Sequence, residues 1–405
     1  MGLIINALSS AGAWLVIISE FVIVFTVART NKKILKYVLV LAVIYLAWLA
    51  YHFEPTPGND LLYHFKMIEL AKSVNWSGLV AHYQFASNPG LYVIYLVVSK
   101  LPSAHWLSVV VVLVVYGIVF FIIYDCQNVF PAFDFDKDGN ELYSIAIAIT
   151  YVVFTMHYTY IISGVKNNMA FAIFVLATYL ELVRKKKPIL CWGLIVAALL
   201  IHPSITLLIL VRLIAYSIKR WNNIFWLIVL LLFPAILYQF WGKIGQSNSD
   251  FVNNALGKVI LYIFDAEESN AGVYPILWIR FLMSSLLIWK NGMWDKRSDK
   301  DKVAEYTHNG ISYYGLPMQY RHVVTCMWIL TLSMFNKYIM FYRLNELLCY
   351  LCIPLVYTCR YQSLRKVRVT FSTKDVFGLL IIGSMIVLLL YWLIGGLPYV
   401  ANFTW

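Results

Sequence analysis

Runs of apolar residues recur along the whole chain, near 13–28, 34–53, 89–101, 104–124, 142–163, 166–183, 188–201, 203–218, 222–241, 273–290, 322–341, 344–359 and 375–397. A hydrocarbon core is about 30 Å thick, and about 20 helical residues cross it. Inside it every backbone N–H and C=O must be paired within the protein, which leaves helices or a closed barrel. The alternating in-out pattern of a barrel strand is absent, so the expectation is an all-α, polytopic membrane protein. Its count is roughly eleven to thirteen transmembrane or re-entrant helices. Composition agrees: 61% of the residues are hydrophobic and 13% charged, at a mean hydropathy of +0.73. That leaves too little polar surface for a water-soluble shell. Many of the 14 Trp and 29 Tyr flank apolar runs, where amphipathic rings anchor at lipid headgroups.

Basic residues cluster in short loops: "RTNKK" (29–33), "RKKK" (184–187), Lys219 with Arg220, "KNGMWDKRSDKDK" (290–302) and "RYQSLRKVR" (360–368). The positive-inside rule puts all of them on the cytoplasmic side, so the formal charge of +12 reads as topology and not as a nucleic-acid surface. Meeting that condition allows one net crossing between 89 and 124, which makes "PGLYVIYLVVSKL" a re-entrant or tilted piece. It also makes 188–201 and 203–218 two short arms meeting at His202. Loops 54–88 and 242–272, the His202 turn and Arg343 then face outward together, with the loop at about 290–321 inside. No internal repeat or linker divides 1–405, which reads as a single integral membrane domain. The first run, 13–28, lacks the positive lead-in and cleavage site of a signal peptide and is expected to remain as a helix.

Two motifs are set aside on chemical grounds. "DFDKDG" (134–139) begins like a calcium loop, but its twelfth position is Ile145 where a bidentate Glu is needed. Cys349 and Cys352 form a C-x-x-C inside an apolar helical run with no second ligand pair, and the six cysteines show no disulfide framework. No metal and no cofactor is expected.

The first outward loop is more informative. Pro55, Pro57 and Gly58 make a turn, after which Asn59 or Asp60 caps an amphipathic helix on the membrane surface. Asp60, Tyr63 and His64 lie three and four apart and are expected to point one way. Asp60 reads as a helix cap or as an active-site carboxylate. Within the membrane runs the ionisable residues are Glu20, Lys166, Glu181, His202, Arg212, Arg280, Lys337, Arg343 and Glu346. Such residues cost about 2.5–3.5 kcal/mol or more to insert, and usually line cavities or pathways. Arg280 reads as a structural partner of Glu346 or Glu20, or as a functional cation. Arg343 and Glu346 sit three apart and can bridge each other. Glu20, Glu181, Arg212 and Lys337 lie near run ends, where long side chains snorkel. His202, followed by Pro203, reads as a ring bonded to a carbonyl exposed at the kink, or as a general base with an ordinary pKa near 6.5.

The stretch "SGVKNNMAFAIFVLATYLELVRKKKPILCWGLIVAALLIHPSITLLIL" (163–210) opens a helix with polar residues, turns at a basic loop and ends a second helix in His-x-Ser. Together with "RLNELLCYLCIPLV" (343–356) and "GNDLLYHF" (58–65), it resembles the EpsG-like branch of the Wzy-type polysaccharide polymerases. Where that family has Arg, often followed by Gln, this chain has Lys166 and Asn167. Lysine keeps the charge and loses the bidentate fork. The resemblance implies a GT-C-like fold in the bacterial cytoplasmic (inner) membrane with an outward-facing site. It implies a glycosyltransferase that joins polyprenyl-diphosphate-linked repeat units into O-antigen, capsule or exopolysaccharide. His202, Asp60 and Arg343 would be catalytic, and Lys166, Asn167, Arg280, Tyr63 and His64 would bind substrate. His202 and Asp60 compete for the role of base. Implied partners are the lipid-linked oligosaccharide, membrane lipid, a chain-length regulator and a flippase, with no nucleic acid.

An O-antigen ligase shares this donor, and a lipid-linked oligosaccharide flippase or other transporter shares the composition, although transporters usually show two matching halves. Trp76, Tyr83, Phe85 and Tyr92 are candidates for stacking on sugar faces or for the interfacial belt.

Overall fold

The computed structural model describes residues 32–55, 59–73, 77–78, 88–129, 141–156, 158–218, 224–232, 274–291, 306–308, 311–313, 316–364, 378–383 and 386–387. The chain enters as α1 (Lys32–Tyr51), α2 (Asp60–Ser73), α3 (Pro89–Val98), α4 (Trp106–Val129), α5 (Glu141–Thr155) and α6 (Tyr158–Ser163). It continues as α7 (Val165–Leu182), α8 (Pro188–Ile201), α9 (Ile205–Ser217), α10 (Ile224–Leu231) and α11 (Tyr274–Lys290). A two-stranded antiparallel hairpin, β1 (Tyr306–His308) and β2 (Ile311–Tyr313), precedes α12 (Met318–Ser333) and α13 (Tyr338–Leu364). The 13–28 run with Glu20, the "DFDKDG" turn and the 242–272 loop lie outside the described residues.

The described protein is a helical bundle apart from that hairpin. Among the described residues three helices are long and apolar enough to cross a membrane: Ile34–Tyr51 in α1, Trp106–Cys126 in α4 and Tyr338–Tyr357 in α13. The α4 sequence "VVVVLVV" is β-branched and a modest helix former in water. Its backbone nevertheless stays helical, as lipid demands of any single segment. α1 is apolar all round: Leu35, Leu39, Leu46 and Leu49 are buried while Tyr37, Val40, Leu41 and Ile44 are exposed. A helix greasy on its outer face is the expected product of a hydrocarbon solvent.

Shorter helices fill the spaces between. α3, at 10 residues, is about 15 Å long, half of what a crossing needs. It starts with Pro89 at its first turn, and Gly90 abuts α8 so closely that a Cβ there would lie 3.0 Å from the Leu200 carbonyl carbon. α8 likewise opens on Pro188 and stops at His202, whose backbone is extended at φ −148° and ψ 122°. The cause is Pro203, which excludes the helical conformation from the residue before it.

Two polar anchors reveal the direction of each helix. On α4, Asp125 accepts the Tyr179 hydroxyl of α7 at 2.8 Å and pairs with Arg184 at 3.1 Å. Tyr357 of α13 donates to the Ile123 carbonyl at 2.8 Å. These contacts mark the end of the bundle that carries the basic 184–187 loop. α4, α7 and α13 therefore all run toward that end.

α9 returns to the same end. Arg212, fully buried, pairs through Nη2 with Glu181, and its Nη1 donates to the Thr178 hydroxyl at 3.3 Å. Tyr216 donates to the other Glu181 oxygen at 2.9 Å, and the guanidinium lies 5.3 Å from the Trp192 ring. These two residues do not snorkel. They form a desolvated pair that clamps α9 to the α7–α8 hairpin. Arg212→Ala leaves a half-buried carboxylate without its cation and should lower stability by about 2 kcal/mol. Replacing both Arg212 and Glu181 by Met should recover most of that, as read by thermal unfolding in detergent.

Candidate functional site

The helix that follows the first loop is capped by Asn59 and not by Asp60. Asn59 Oδ1 accepts the Leu61 N–H at 2.9 Å, and its Nδ2 donates to the Ser163 hydroxyl at 2.9 Å. One residue thus starts α2 and ties it to the end of α6. Asp60 is left without capping duty, exposed in the first turn. Tyr63 is exposed as well, while His64 turns inward and is buried. The three do not share one environment, although they sit on neighbouring turns.

His64 Nδ1 and the Tyr95 hydroxyl of α3 share a short hydrogen bond. Burial, with a smaller contribution from the Lys166 ammonium, holds the His64 pKa down to about 3. Asp60, Tyr63 and Tyr92 lie within electrostatic reach of the Tyr95 hydroxyl. One cluster therefore gathers Asp60, Tyr63 and His64 from α2, Tyr92 and Tyr95 from α3, and Lys166 from α7. Tyr92 is 2% exposed and so packs within the bundle, out of reach of a sugar face. Trp76, Tyr83 and Phe85 lie outside the described residues.

The α6–α7 junction presents Lys166. Asn168 bridges back to the carbonyls of Tyr160 at 3.1 Å and Ile161 at 3.2 Å, satisfying groups that the helix break would orphan. Gly164 makes room for it: a Cβ at that position would lie 2.7 Å from Asn168 Nδ2. Lys166 is half-buried, and the neighbouring Asn167 is buried with no hydrogen-bond partner for its Oδ1 among the described residues.

A second cluster lies on α11 and α13. Glu346 is buried, in electrostatic range of both Arg280 and Arg343. Tyr116 of α4 and Tyr350, both fully buried, are in range of the same carboxylate. Asn345 Nδ2 donates to the Leu277 carbonyl at 2.6 Å and fixes α13 against α11 one turn from Arg280. Arg280 and Arg343 thus both act on the Glu346 carboxylate. Tyr95, Tyr116 and Tyr350 were not singled out from the sequence. The i, i+3 spacing of Tyr92 and Tyr95 was the only available sign, and it does not tell a buried ring from an interfacial one.

Helix rise places the two clusters at one level. Lys166 stands 13 residues before Tyr179 and Arg343 14 residues before Tyr357, or about 20 Å of helix in each case. Tyr179 and Tyr357 are both anchored at the Ile123–Asp125 turn of α4. Lys166 and Arg343 therefore share the end opposite the basic loop. Tyr160 and Tyr342, with ring centroids 5.7 Å apart, bridge the elements that carry them. His202 lies ten residues beyond Trp192, about 15 Å, and so sits roughly one turn deeper than Lys166. It is 6% exposed, and its Nδ1 accepts the Ser204 N–H at 3.0 Å. A neutral ring held this way carries its proton on Nε2 and offers a donor there, not a base.

Comparison with protein-family models, with curated proteins and with solved structures finds no match to this chain.

The His64 environment has a pH signature. Its folded pKa lies below the ordinary value near 6.5, so the unfolded chain binds the extra proton between pH 6.5 and about 3. The stability contributed by neutral His64 is complete above pH 6.5 and is lost as pH falls toward about 3. Melting curves across that window should therefore fall more steeply with acid for the wild type than for His64→Gln.

Proposed function

We propose that this chain is a membrane glycosyltransferase of the Wzy polymerase type, working on polyprenyl-diphosphate-linked oligosaccharide at the end of the bundle opposite the basic loop. The observation that carries the reading is the convergence of Lys166 with Arg343 and Arg280 at one level of an apolar bundle, beside a polar surface helix bearing Asp60. Water-poor surroundings and fixed cations favour a departing diphosphate. Its negative charge grows as the glycosidic bond breaks, and preorganised positive groups in a low dielectric stabilise that growth without reorganising.

The reaction joins a sugar hydroxyl of one repeat unit to the anomeric carbon of the growing chain. The new C–O bond forms as the anomeric C–O bond to diphosphate breaks, and its electron pair leaves with the polyprenyl diphosphate. The hydroxyl proton needs an acceptor. Asp60, exposed and released from capping by Asn59, supports that role better than His202, whose Nδ1 is already occupied. His202 Nε2–H serves instead as a donor to a phosphate or sugar oxygen. With the two arms of α8 and α9 meeting at it, it occupies the floor of the site. The end of the bundle that bears the site faces the cell exterior or periplasm in this reading, as the basic loops dictate.

The test uses purified protein in nanodiscs with a polyprenyl-diphosphate repeat unit, following longer glycans and released lipid diphosphate. Arg343→Ala and Lys166→Ala should each cost about 10²–10³ in rate while the variants remain folded, the usual loss for one transition-state stabiliser. Lys166→Arg should retain most activity, since the charge remains. His202→Gln, which keeps a donor, should exceed His202→Ala. Transbilayer movement of the lipid-linked unit without any coupling would make the protein a transporter and end this reading.

A further inference from the structure

The aromatic residues around α11 and α13 are sorted by chemistry. Tyr274 and Tyr338 lie at 5.4 Å between ring centroids, Tyr338 and Tyr342 stack at 6.4 Å, and Tyr342 meets Tyr160 at 5.7 Å. All four are half-buried. On the same helices and the adjoining α12, Trp278, Phe281, Trp328 and Phe341 form a second group without a hydroxyl among them, joined at 5.2 to 5.8 Å. A hydroxylated row is favoured where rings offer an apolar face and a hydrogen-bonding rim to the same neighbour.

The row has a direction. Tyr274 and Tyr338 are the first residues of α11 and α13, so it starts at the mouth of the bundle. It descends one turn along α13 to Tyr342, next in sequence to Arg343, and ends on Tyr160 beside the junction that presents Lys166. Its steps are close to the repeat of one sugar ring along a glycan. A pyranose presents a face of C–H groups to the negative face of an aromatic ring and hydroxyls at its edge, which matches a half-buried tyrosine on both counts. A lipid acyl chain uses neither the hydroxyls nor the approach to the cations.

We propose that Tyr274, Tyr338, Tyr342 and Tyr160 form a glycan-binding track that leads the saccharide from the mouth of the bundle to the Arg343–Lys166 level, with its diphosphate-bearing end innermost. This deepens the polymerase reading and rests on it for the identity of the glycan. The row itself is tested separately.

The experiment measures binding of full-length protein in nanodiscs to the lipid-free oligosaccharide released by mild acid from the source cell's own polyprenyl-diphosphate repeat unit. Tyr338→Leu and Tyr342→Leu should each weaken binding tenfold or more, and Tyr338→Phe and Tyr342→Phe by about three- to fivefold, because the stacking face remains and the rim hydroxyl is lost. Phe335→Leu, an exposed ring outside the row, should bind as wild type does. Melting temperatures within a few degrees of wild type confirm folding. Absence of glycan binding by wild type, or equal binding by folded leucine variants, overturns the track. The same preparations are scored for polymer. Tyrosine-dependent binding with no polymer keeps the track and removes the polymerase reading, whereas polymer with tyrosine-independent binding does the reverse.

Discussion

A cation cannot be held inside an apolar bundle without a compensating group, and the surroundings of Glu346 depend on that rule. One buried carboxylate, Glu346, lies in range of Arg280 and Arg343 together. Arg212 follows the other course: Glu181 matches it one to one, with Thr178 and Tyr216 adding hydrogen bonds. The balanced pair near the basic end clamps helices, and the second group of charges gathers toward the opposite end.

Breaks in the helices position what the charges act on. Pro203 forces His202 out of helical geometry, and the freed Ser204 N–H turns to His202 Nδ1. A backbone constraint thereby selects the ring tautomer and with it the direction in which the side chain can move a proton. At the α6–α7 junction, Asn168 satisfies the carbonyls of Tyr160 and Ile161, so Lys166 can stand at a helix start within the bundle. Asn59 links α2, which begins with Asp60, to that same junction through Ser163. The Asn59–Ser163 bond thus joins the 58–65 and 163–210 stretches, and the Tyr160–Tyr342 ring contact brings the helix that carries 343–356 beside them.

Much of the frame was legible in the sequence because lipid imposes simple rules. Apolar run length marked the spans in α1 and α4 and most of the one in α13, whose start at Tyr338 lies earlier than the 344–359 run; the charge pattern made 89–101 a re-entrant or tilted piece, and Pro203 marked the break at His202. The membership of the clusters was less legible. Arg280, Arg343 and Glu346 announced themselves as charges where charge is costly. Tyr95, Tyr116 and Tyr350 gave no such sign, because a tyrosine is equally at home in a core, a belt or a binding face. Glu181 and Arg212 were given no role, because run-end position says nothing of a partner 31 residues away. The expectation that Asp60, Tyr63 and His64 point together failed because a single helical step of 100° separates an exposed Tyr63 from a buried His64.

The most direct measurement is a cryo-EM structure of the protein in nanodiscs with polyprenyl diphosphate added. The account predicts diphosphate density within hydrogen-bonding distance of both Lys166 and Arg343, with Asp60 on the open side and His202 beneath. Density bound instead at the Arg184–Lys187 end, or contact with only one of the two cations, would contradict it.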